Sequence, residues 1–143
     1  MLGRKSKYEK RDYLKQFKIG KAPYSESLIY EAYGGLQNDG IMLAVYYDVD
    51  AAKIIHQLDS WEKINDSPTI SSILKNVSSY FGLDFVIPEI ASGNFFLYDN
   101  SQHKELRSEA EMNTLLLHSE DVNFSLVVWD DEKHTIYIVE YRI

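Results

Sequence analysis

Cysteine is absent from the 143-residue sequence, which excludes disulfide bonds, thiolate catalysis and cysteine-ligated zinc. Long apolar runs are absent too. The longest, Ile41–Tyr47, has seven residues, whereas a membrane-spanning helix needs roughly 20. No apolar segment follows the basic residues near Met1, so the sequence predicts no secretory signal. Together these absences favour a cytoplasmic protein that does not contact a membrane.

Phosphate-binding glycine motifs are also missing. Gly34, Gly35 and Gly40 do not form GxxxxGK(S/T) or GxGxxG, the patterns whose backbone amides hold phosphate groups. The four histidines are dispersed along the sequence, and none lies within four residues of another. Because no motif specifies a chemistry, we predict no cofactor and no catalytic residue.

Charge is distributed unevenly along the chain, which has a net charge of −7. Residues 1–21 carry eight basic and two acidic residues, whereas the remainder carries seven basic and twenty acidic residues. We therefore divide the chain into a basic N-terminal arm, residues 1–22, and an acidic α+β domain, residues 23–143. The acidic domain should repel nucleic acid and suit a basic protein partner.

Aromatic side chains alternate with basic ones in the arm, where a short helix over about Tyr8–Lys18 is consistent with the spacing. Such a segment can contact nucleic acid or an acidic partner, with rings stacking on bases. The alternative is a solvated terminus, or one folded back on its own acidic domain. The candidate contact residues of the arm are Arg4, Lys5, Lys7, Lys10 and Arg11.

The last part of the chain shows the clearest strand pattern. Alternating apolar residues predict two strands, Phe124–Trp129 and His134–Arg142, joined by a turn over residues 130–133. One predicted face carries Phe124, Leu126, Val128, Tyr137, Val139 and Tyr141, and the other carries Val127, Trp129, Ile136 and Ile138.

The predicted register of this hairpin places Trp129 opposite His134, and Leu126 opposite Tyr137. Both faces are apolar, and an isolated two-stranded ribbon is only marginally stable in water, so other elements must cover it. We therefore predict a single-domain α+β fold, with the C-terminal hairpin at the centre of a mainly antiparallel sheet packed with three to four helices.

The rest of the chain alternates between helical and strand-like patterns. For residues 51–63 a helix competes with a hairpin that pairs Lys53–Leu58 back on the preceding strand. The predicted strands are Ile41–Val49, Phe85–Ile90, Phe95–Tyr98 and a short one at Lys104–Arg107. The predicted helices are a short one from Ser25 to Tyr33, one after the N-cap Asp50, one at Ser67–Phe81, and one from Ser108 to His118.

Asp48 and Asp50 end the most apolar strand. Two carboxylates in this position can hold Mg²⁺ and orient a phosphate. Their spacing resembles the Asp-x-Asp start of haloacid-dehalogenase-type phosphatases, although Ala51 and Ala52 stand where that motif carries glycine and threonine. The alternative assignment is a strand end followed by a helix N-cap.

A second acidic group, Asp130, Asp131 and Glu132, follows the strand that ends at Trp129. It could complete a metal site with Asp48 if the two strand ends met. Three acids at a hairpin tip are also typical of a solvated turn. As part of a docking surface, the acids would steer association and Trp129 would anchor it.

Three functions remain open on the sequence alone. The first is a non-enzymatic protein-binding module, such as an inhibitor or immunity-type protein, that docks on a basic partner through Trp129, Asp130, Asp131 and Glu132. The second is a small metal-dependent phosphate-transfer enzyme that uses Asp48 and Asp50. The third is nucleic-acid binding through the basic arm.

Overall fold

The fold is a single antiparallel sheet covered on both faces. The structure, a computed structural model, describes residues 4–5, 14, 19, 22–34, 39–64, 67–83, 87, 89–118 and 122–142. Every described strand pair is antiparallel. The strands are β1 (Arg4–Lys5), β2 (Glu26–Gly34), β3 (Asp39–Tyr47), β4 (Glu62–Lys63), β5 (Gly93–Asp99), β6 (Lys104–Leu106), β7 (Asn123–Asp130) and β8 (Thr135–Arg142).

The strand order is β1-β2-β3-β8-β7-β5-β4, and β6 also pairs with β5. The C-terminal hairpin of β7 and β8 is therefore central, which confirms that prediction and the mainly antiparallel α+β class. The described helices are a 3-10 turn at Ala51–Lys53, α1 (Ile55–Ser60), α2 (Pro68–Phe81) and α3 (Glu109–His118). Three α-helices are fewer than the pattern suggested, because the segment after Ser25 is a strand.

The register of the hairpin differs from the predicted one by two residues. Asp130 pairs with Thr135, and Leu126 pairs with Val139 rather than with Tyr137. Because a shift of two residues keeps every side chain on its face, the predicted face assignment is still correct. The shift comes from the turn, where the buried Asp130 carboxylate accepts hydrogen bonds from the backbone amides of Glu132 and Lys133, at 3.0 and 3.2 Å.

The helix predicted from Ser25 to Tyr33 is wrong, since this segment forms β2 and pairs with β3 along its whole length. Leu28, Ile29 and Ala32 fit helical spacing, but they also alternate between two apolar faces of a sheet. Leu28 and Ala32 pack in one core cluster and Ile29 in the other. Because β2 is covered on both faces, its apolar residues do not alternate regularly with polar ones. Their spacing therefore resembles that of a helix.

Two apolar clusters sandwich the sheet. The first face, which includes Leu43, Leu126 and Val139, packs under the apolar sides of α2 and α3. The second face, which includes Met42, Trp129 and Ile138, is covered by the segment around Val49 and Ile54. From the predicted arm, Leu14 and Ile19 join this second cluster at 1% and 0% exposure.

The arm is described at only a few positions. Arg4 and Lys5 form β1, opposite Glu31 and Tyr30 of β2. The helix predicted over Tyr8–Lys18 lies outside the described residues except at Leu14. The division of the chain at residue 22 stays a prediction.

Helix α2 begins and ends where the sequence predicts. The Ser67 hydroxyl accepts a hydrogen bond from the Ile70 amide at 3.3 Å, and Pro68 occupies the first helical position. Gly82 ends the helix with a left-handed backbone conformation, φ 57°. The capping box of α3 is confirmed as well, because the Ser108 hydroxyl and the Glu111 carboxylate each accept from the other's backbone amide.

The remaining predictions are confirmed in part. Asp50 caps the 3-10 turn through the Ala52 amide, but α1 is shorter than predicted and ends at Ser60. The competing Lys53–Leu58 hairpin does not form. Residues 85, 86 and 88 of the predicted Phe85–Ile90 strand lie outside the described residues, and positions 87, 89 and 90 are not in a strand. The strands predicted at 95–98 and 104–107 correspond to β5 and β6.

A polar cluster joins the beginnings of α2 and α3. The Glu109 carboxylate accepts hydrogen bonds from the hydroxyls of Ser67 and Thr69. The Thr69 hydroxyl also lies 3.2 Å from the Asn113 side-chain amide. Since Ser67 is the N-cap of α2, the carboxylate of Glu109 faces the positive end of that helix dipole, where a negative charge is stabilised.

Candidate functional site

One end of the sheet brings together acidic side chains from the two candidate groups predicted from the sequence, and Glu26 joins them. β2 begins at this end, β3 ends there, and the turn between β7 and β8 lies beside them. The exposed carboxylates at this end belong to Glu26, Asp48, Asp50, Asp131 and Glu132, and together we call them the acidic end.

Hydrogen bonds between the segments fix the acidic end. The Val49 amide donates to the His134 carbonyl oxygen at 2.8 Å and so joins the residue after Asp48 to the β7–β8 turn. The Asp50 amide donates to the Pro23 carbonyl oxygen at 3.1 Å, and the Ser25 hydroxyl donates to the Asp48 carboxylate at 2.5 Å. Three segments that are distant in the sequence therefore meet at one surface.

The backbone at this surface is unusual at two positions. Asp48 and His134 adopt the left-handed conformation, with φ 53° and φ 49°. Aspartate and histidine tolerate this region better than most residues, although it still costs free energy, and such residues concentrate at functional sites. Here the two residues flank the hydrogen bond between Val49 and His134.

No ion pair between described residues compensates the charge of the acidic end. The ion pairs formed between described residues join Lys104 to Glu111, and Arg107 to Glu62 and Glu105. Two exposed lysines belong to the same region, Lys53 in the 3-10 turn and Lys133 in the β7–β8 turn. Among the described residues of this region, five exposed carboxylates stand against two lysines, so the described part of the surface is negative.

The predicted docking residues divide into buried and exposed ones. Trp129 is 0% exposed, donates its indole N–H to the Asp131 carboxylate at 3.3 Å and stacks on His134. Asp130 is 4% exposed, and its carboxylate accepts a hydrogen bond from the Glu132 amide in the turn. A partner could therefore reach only Asp131 and Glu132 of the predicted set. The contact role of these two residues stays a prediction.

An exposed aromatic residue that the sequence analysis missed is Tyr24. It is 45% exposed and packs edge-on against Tyr46, with the ring centroids 4.9 Å apart. It directly precedes Ser25, whose hydroxyl contacts Asp48. The mistaken helix prediction for the following segment hid its position, and no other signal in the sequence marks it.

The Asp48 and Asp50 pair has structural roles in this arrangement. Asp48 accepts from Ser25, and Asp50 caps the 3-10 turn by accepting from the Ala52 amide at 3.1 Å. Within the described ranges, no three histidine, aspartate or glutamate side chains are grouped to hold a metal ion. Among the described residues, Asp48 and Asp50 are therefore not joined by a third metal ligand. The metal-dependent phosphate-transfer hypothesis stays a prediction.

The arm residues Lys7, Lys10 and Arg11 lie outside the described residues. Arg4 and Lys5 are described through their backbone pairing only. The nucleic-acid hypothesis for the arm therefore stays a prediction. None of the helices in the described part of the chain is long and apolar enough to cross a membrane.

Tyr137 lies behind the acidic end on the first face, at 3% exposure. Burial raises the pKa of its hydroxyl well above its ordinary value of 10.0, and the nearby Asp130 and Tyr47 raise it further. The neutral hydroxyl is the form that the folded protein accepts, because ionisation would place a charge in the core beside a carboxylate.

The raised pKa of Tyr137 predicts a loss of stability in alkaline solution. In the unfolded chain the hydroxyl loses its proton near pH 10, whereas in the folded chain it keeps the proton. Above about pH 10 the free energy of unfolding should therefore fall by about 1.4 kcal/mol per pH unit for this one group. Urea unfolding of the wild type and Tyr137→Phe, followed from about pH 8 to about pH 11, should show a shallower fall for the variant.

The same two proteins provide the control at about pH 8, where the tyrosine is protonated in both the folded and the unfolded chain. Their difference in stability at that pH measures packing alone. Equal slopes above about pH 10 would show that Tyr137 ionises in the folded protein as readily as in the unfolded chain.

No family model, curated protein or solved structure matches this chain.

Proposed function

We propose that this protein is a non-enzymatic binding module that docks on a basic protein partner in the cytoplasm, as an inhibitor or immunity-type protein would. The observation that carries the proposal is the acidic end, where exposed carboxylates from three chain segments lie on one hydrogen-bonded scaffold. Clustered charge of one sign speeds the encounter with an oppositely charged partner and disfavours wrong partners.

Rigidity supports the same proposal. The acidic end is built on the ends of central strands and is fixed by short hydrogen bonds at Val49 and Ser25. A surface that is already ordered loses little conformational entropy when it binds. Tyr24, half-exposed beside the carboxylates, supplies the aromatic contact that the buried Trp129 cannot supply.

The experiment compares capture by matched variants. Asp131→Asn with Glu132→Gln removes two charges from the acidic end, and Asp59→Asn with Glu89→Gln removes two exposed charges elsewhere. The wild type and the Asp59/Glu89 variant should cross-link the same basic protein in cells of the native host. The Asp131/Glu132 variant should lose it. Equal loss by both variants, or capture of acidic proteins only, would contradict the proposal.

The captured protein then gives a quantitative readout. Raising the salt concentration from about 50 mM to about 300 mM should weaken binding by the wild type at least roughly tenfold, because exposed charges are screened. The Asp131/Glu132 variant should bind more weakly at low salt and respond less to salt. A salt dependence that is the same in both proteins would show that the acidic end does not contact the partner.

A further inference from the structure

A groove separates α2 and α3 above the first face of the sheet. Its volume is about 680 Å³, within the range of about 300–1,000 Å³ that small-molecule sites occupy. It lies near the beginning of β7, whereas the acidic end lies at the end of that strand. The apolar side chains that line it include Ile73, Val77, Leu116, Val122, Phe124 and Tyr141.

Two aromatic rings form one wall of the groove. Phe124 and Tyr141 are cross-strand partners, and their rings are nearly parallel, with centroids 5.3 Å apart and planes at 11°. Burial raises the pKa of the Tyr141 hydroxyl above its ordinary value, because partial desolvation disfavours the charged form. An apolar or aromatic body would replace water against this wall.

The polar cluster between α2 and α3 lies in the lining of the groove. Glu109, Thr69 and Asn113 all contribute to it. Each oxygen of the Glu109 carboxylate accepts one hydrogen bond, from Ser67 and from Thr69, and an ionised carboxylate oxygen can accept two. Glu109 is half-buried and lines the groove, which allows a ligand there to use its remaining acceptor positions.

The charge of the lining selects the sign of the ligand. Among the described lining residues, Glu109 is the single charged side chain, and no lysine, arginine or histidine balances it. The beginning of α2, which would otherwise attract an anion, already faces the Glu109 carboxylate. A negative ligand would meet repulsion, and a cation would gain a charge-assisted hydrogen bond.

We infer that this groove binds a small amphipathic cation, a primary ammonium group attached to an apolar body. The ammonium group donates to the Glu109 carboxylate, and the body packs between α2 and the Phe124–Tyr141 wall. The inference does not depend on the proposed docking function, because no residue of the groove belongs to the acidic end.

The experiment uses three probes with tails of nearly equal length: octylammonium chloride, octanol and sodium octanoate. Each is titrated into the full chain by calorimetry, and binding is mapped by amide chemical shifts. Octylammonium should saturate one site and bind at least roughly tenfold more tightly than octanoate, because the charged head group reaches Glu109. The shifts should map to α2, α3 and the beginning of β7.

Two substitutions and one control separate the contribution of the head group to binding from that of the tail. Glu109→Gln keeps an acceptor oxygen for one of the Ser67 and Thr69 hydroxyls but removes the charge, so octylammonium and octanol should bind equally well. Glu89→Gln removes an exposed charge that is not part of the groove and should leave the preference unchanged. Leu116→Trp fills the groove and should weaken all three probes.

Several results would overturn the inference. They are octanoate binding as tightly as octylammonium, a natively folded Glu109→Gln variant with an unchanged preference, and shifts that map away from the groove. Absence of saturable octylammonium binding at millimolar concentration would overturn it as well. If Glu109→Gln fails to fold, the Leu116→Trp variant and the shift map of the wild type decide the question.

Discussion

Gly93→Ala should lower the free energy of unfolding by about 3 kcal/mol or more, the upper part of the range for overpacked sites. A Cβ atom at Gly93 would lie 1.9 Å from the carbonyl oxygen of Trp129 and 3.1 Å from its carbonyl carbon. Both contacts are with backbone, which cannot rotate away as a side chain does. Gly93 pairs with Asp130, and its neighbour Asn94 pairs with Trp129, so relief requires opening the β5–β7 ladder. Urea unfolding followed by circular dichroism measures the effect.

Gly82→Ala is the matched control for this substitution. Gly82 ends α2 in the left-handed conformation at φ 57°, so alanine there should cost about 1 kcal/mol from backbone strain alone. The Gly93 variant should therefore be clearly the less stable of the two. If both variants lost the same stability, or if Gly93→Ala stayed within about 0.5 kcal/mol of the wild type, the close approach of β5 to β7 would be wrong.

Trp129→Ala should lower the free energy of unfolding by about 3–5 kcal/mol, as expected for a buried aromatic side chain. Trp129 is 0% exposed and packs in the second cluster, under the segment that contains Ile54. Its indole N–H also donates to Asp131. Chemical unfolding measures the loss, and the fluorescence that the wild type has in excess of the variant should be that of a tryptophan shielded from water, since Trp61 is present in both.

This substitution separates the two roles that the sequence leaves open for Trp129. An anchor in a docking surface would, when removed, weaken partner binding and leave folding nearly intact. Removal of a core residue would instead lower the free energy of unfolding and would not remove a direct contact with the partner. Trp129→Phe is the milder companion, since it keeps most of the apolar volume and loses the hydrogen bond to Asp131. A small stability change together with a large loss of binding would overturn the buried position of Trp129.

The sequence predicts helix ends better than strand register, and α2 shows why. Ser67, Pro68 and Gly82 each act through a local backbone effect that needs no knowledge of the rest of the chain. The faces of β7 and β8 were likewise predictable from alternation. The register was not, because it depends on how the Asp130 carboxylate holds the turn amides. The alternation of apolar residues does not show which amides the Asp130 carboxylate binds, because it indicates only the face of each side chain.

Four of the acidic residues of the candidate site were predictable, but Tyr24, Glu26 and the grouping were not. Asp48, Asp50, Asp131 and Glu132 were each singled out, yet nothing in the sequence shows that the Val49 amide meets the His134 carbonyl. The burial of Trp129 was hidden for a similar reason. Its face was assigned correctly, but the residues that cover that face come from distant segments. Contacts of this kind depend on topology rather than on local propensity.

The central position of β8 has a consequence for synthesis of the chain. β8 fills the space between β3 and β7, so β3 cannot pair along its inner edge until almost all of the described chain has been translated. Until then the β2–β3 hairpin emerges from the ribosome with an apolar, unsatisfied edge, and pairings between such distant residues form slowly. We expect the nascent protein to be most vulnerable to aggregation in that interval and to need chaperone protection then.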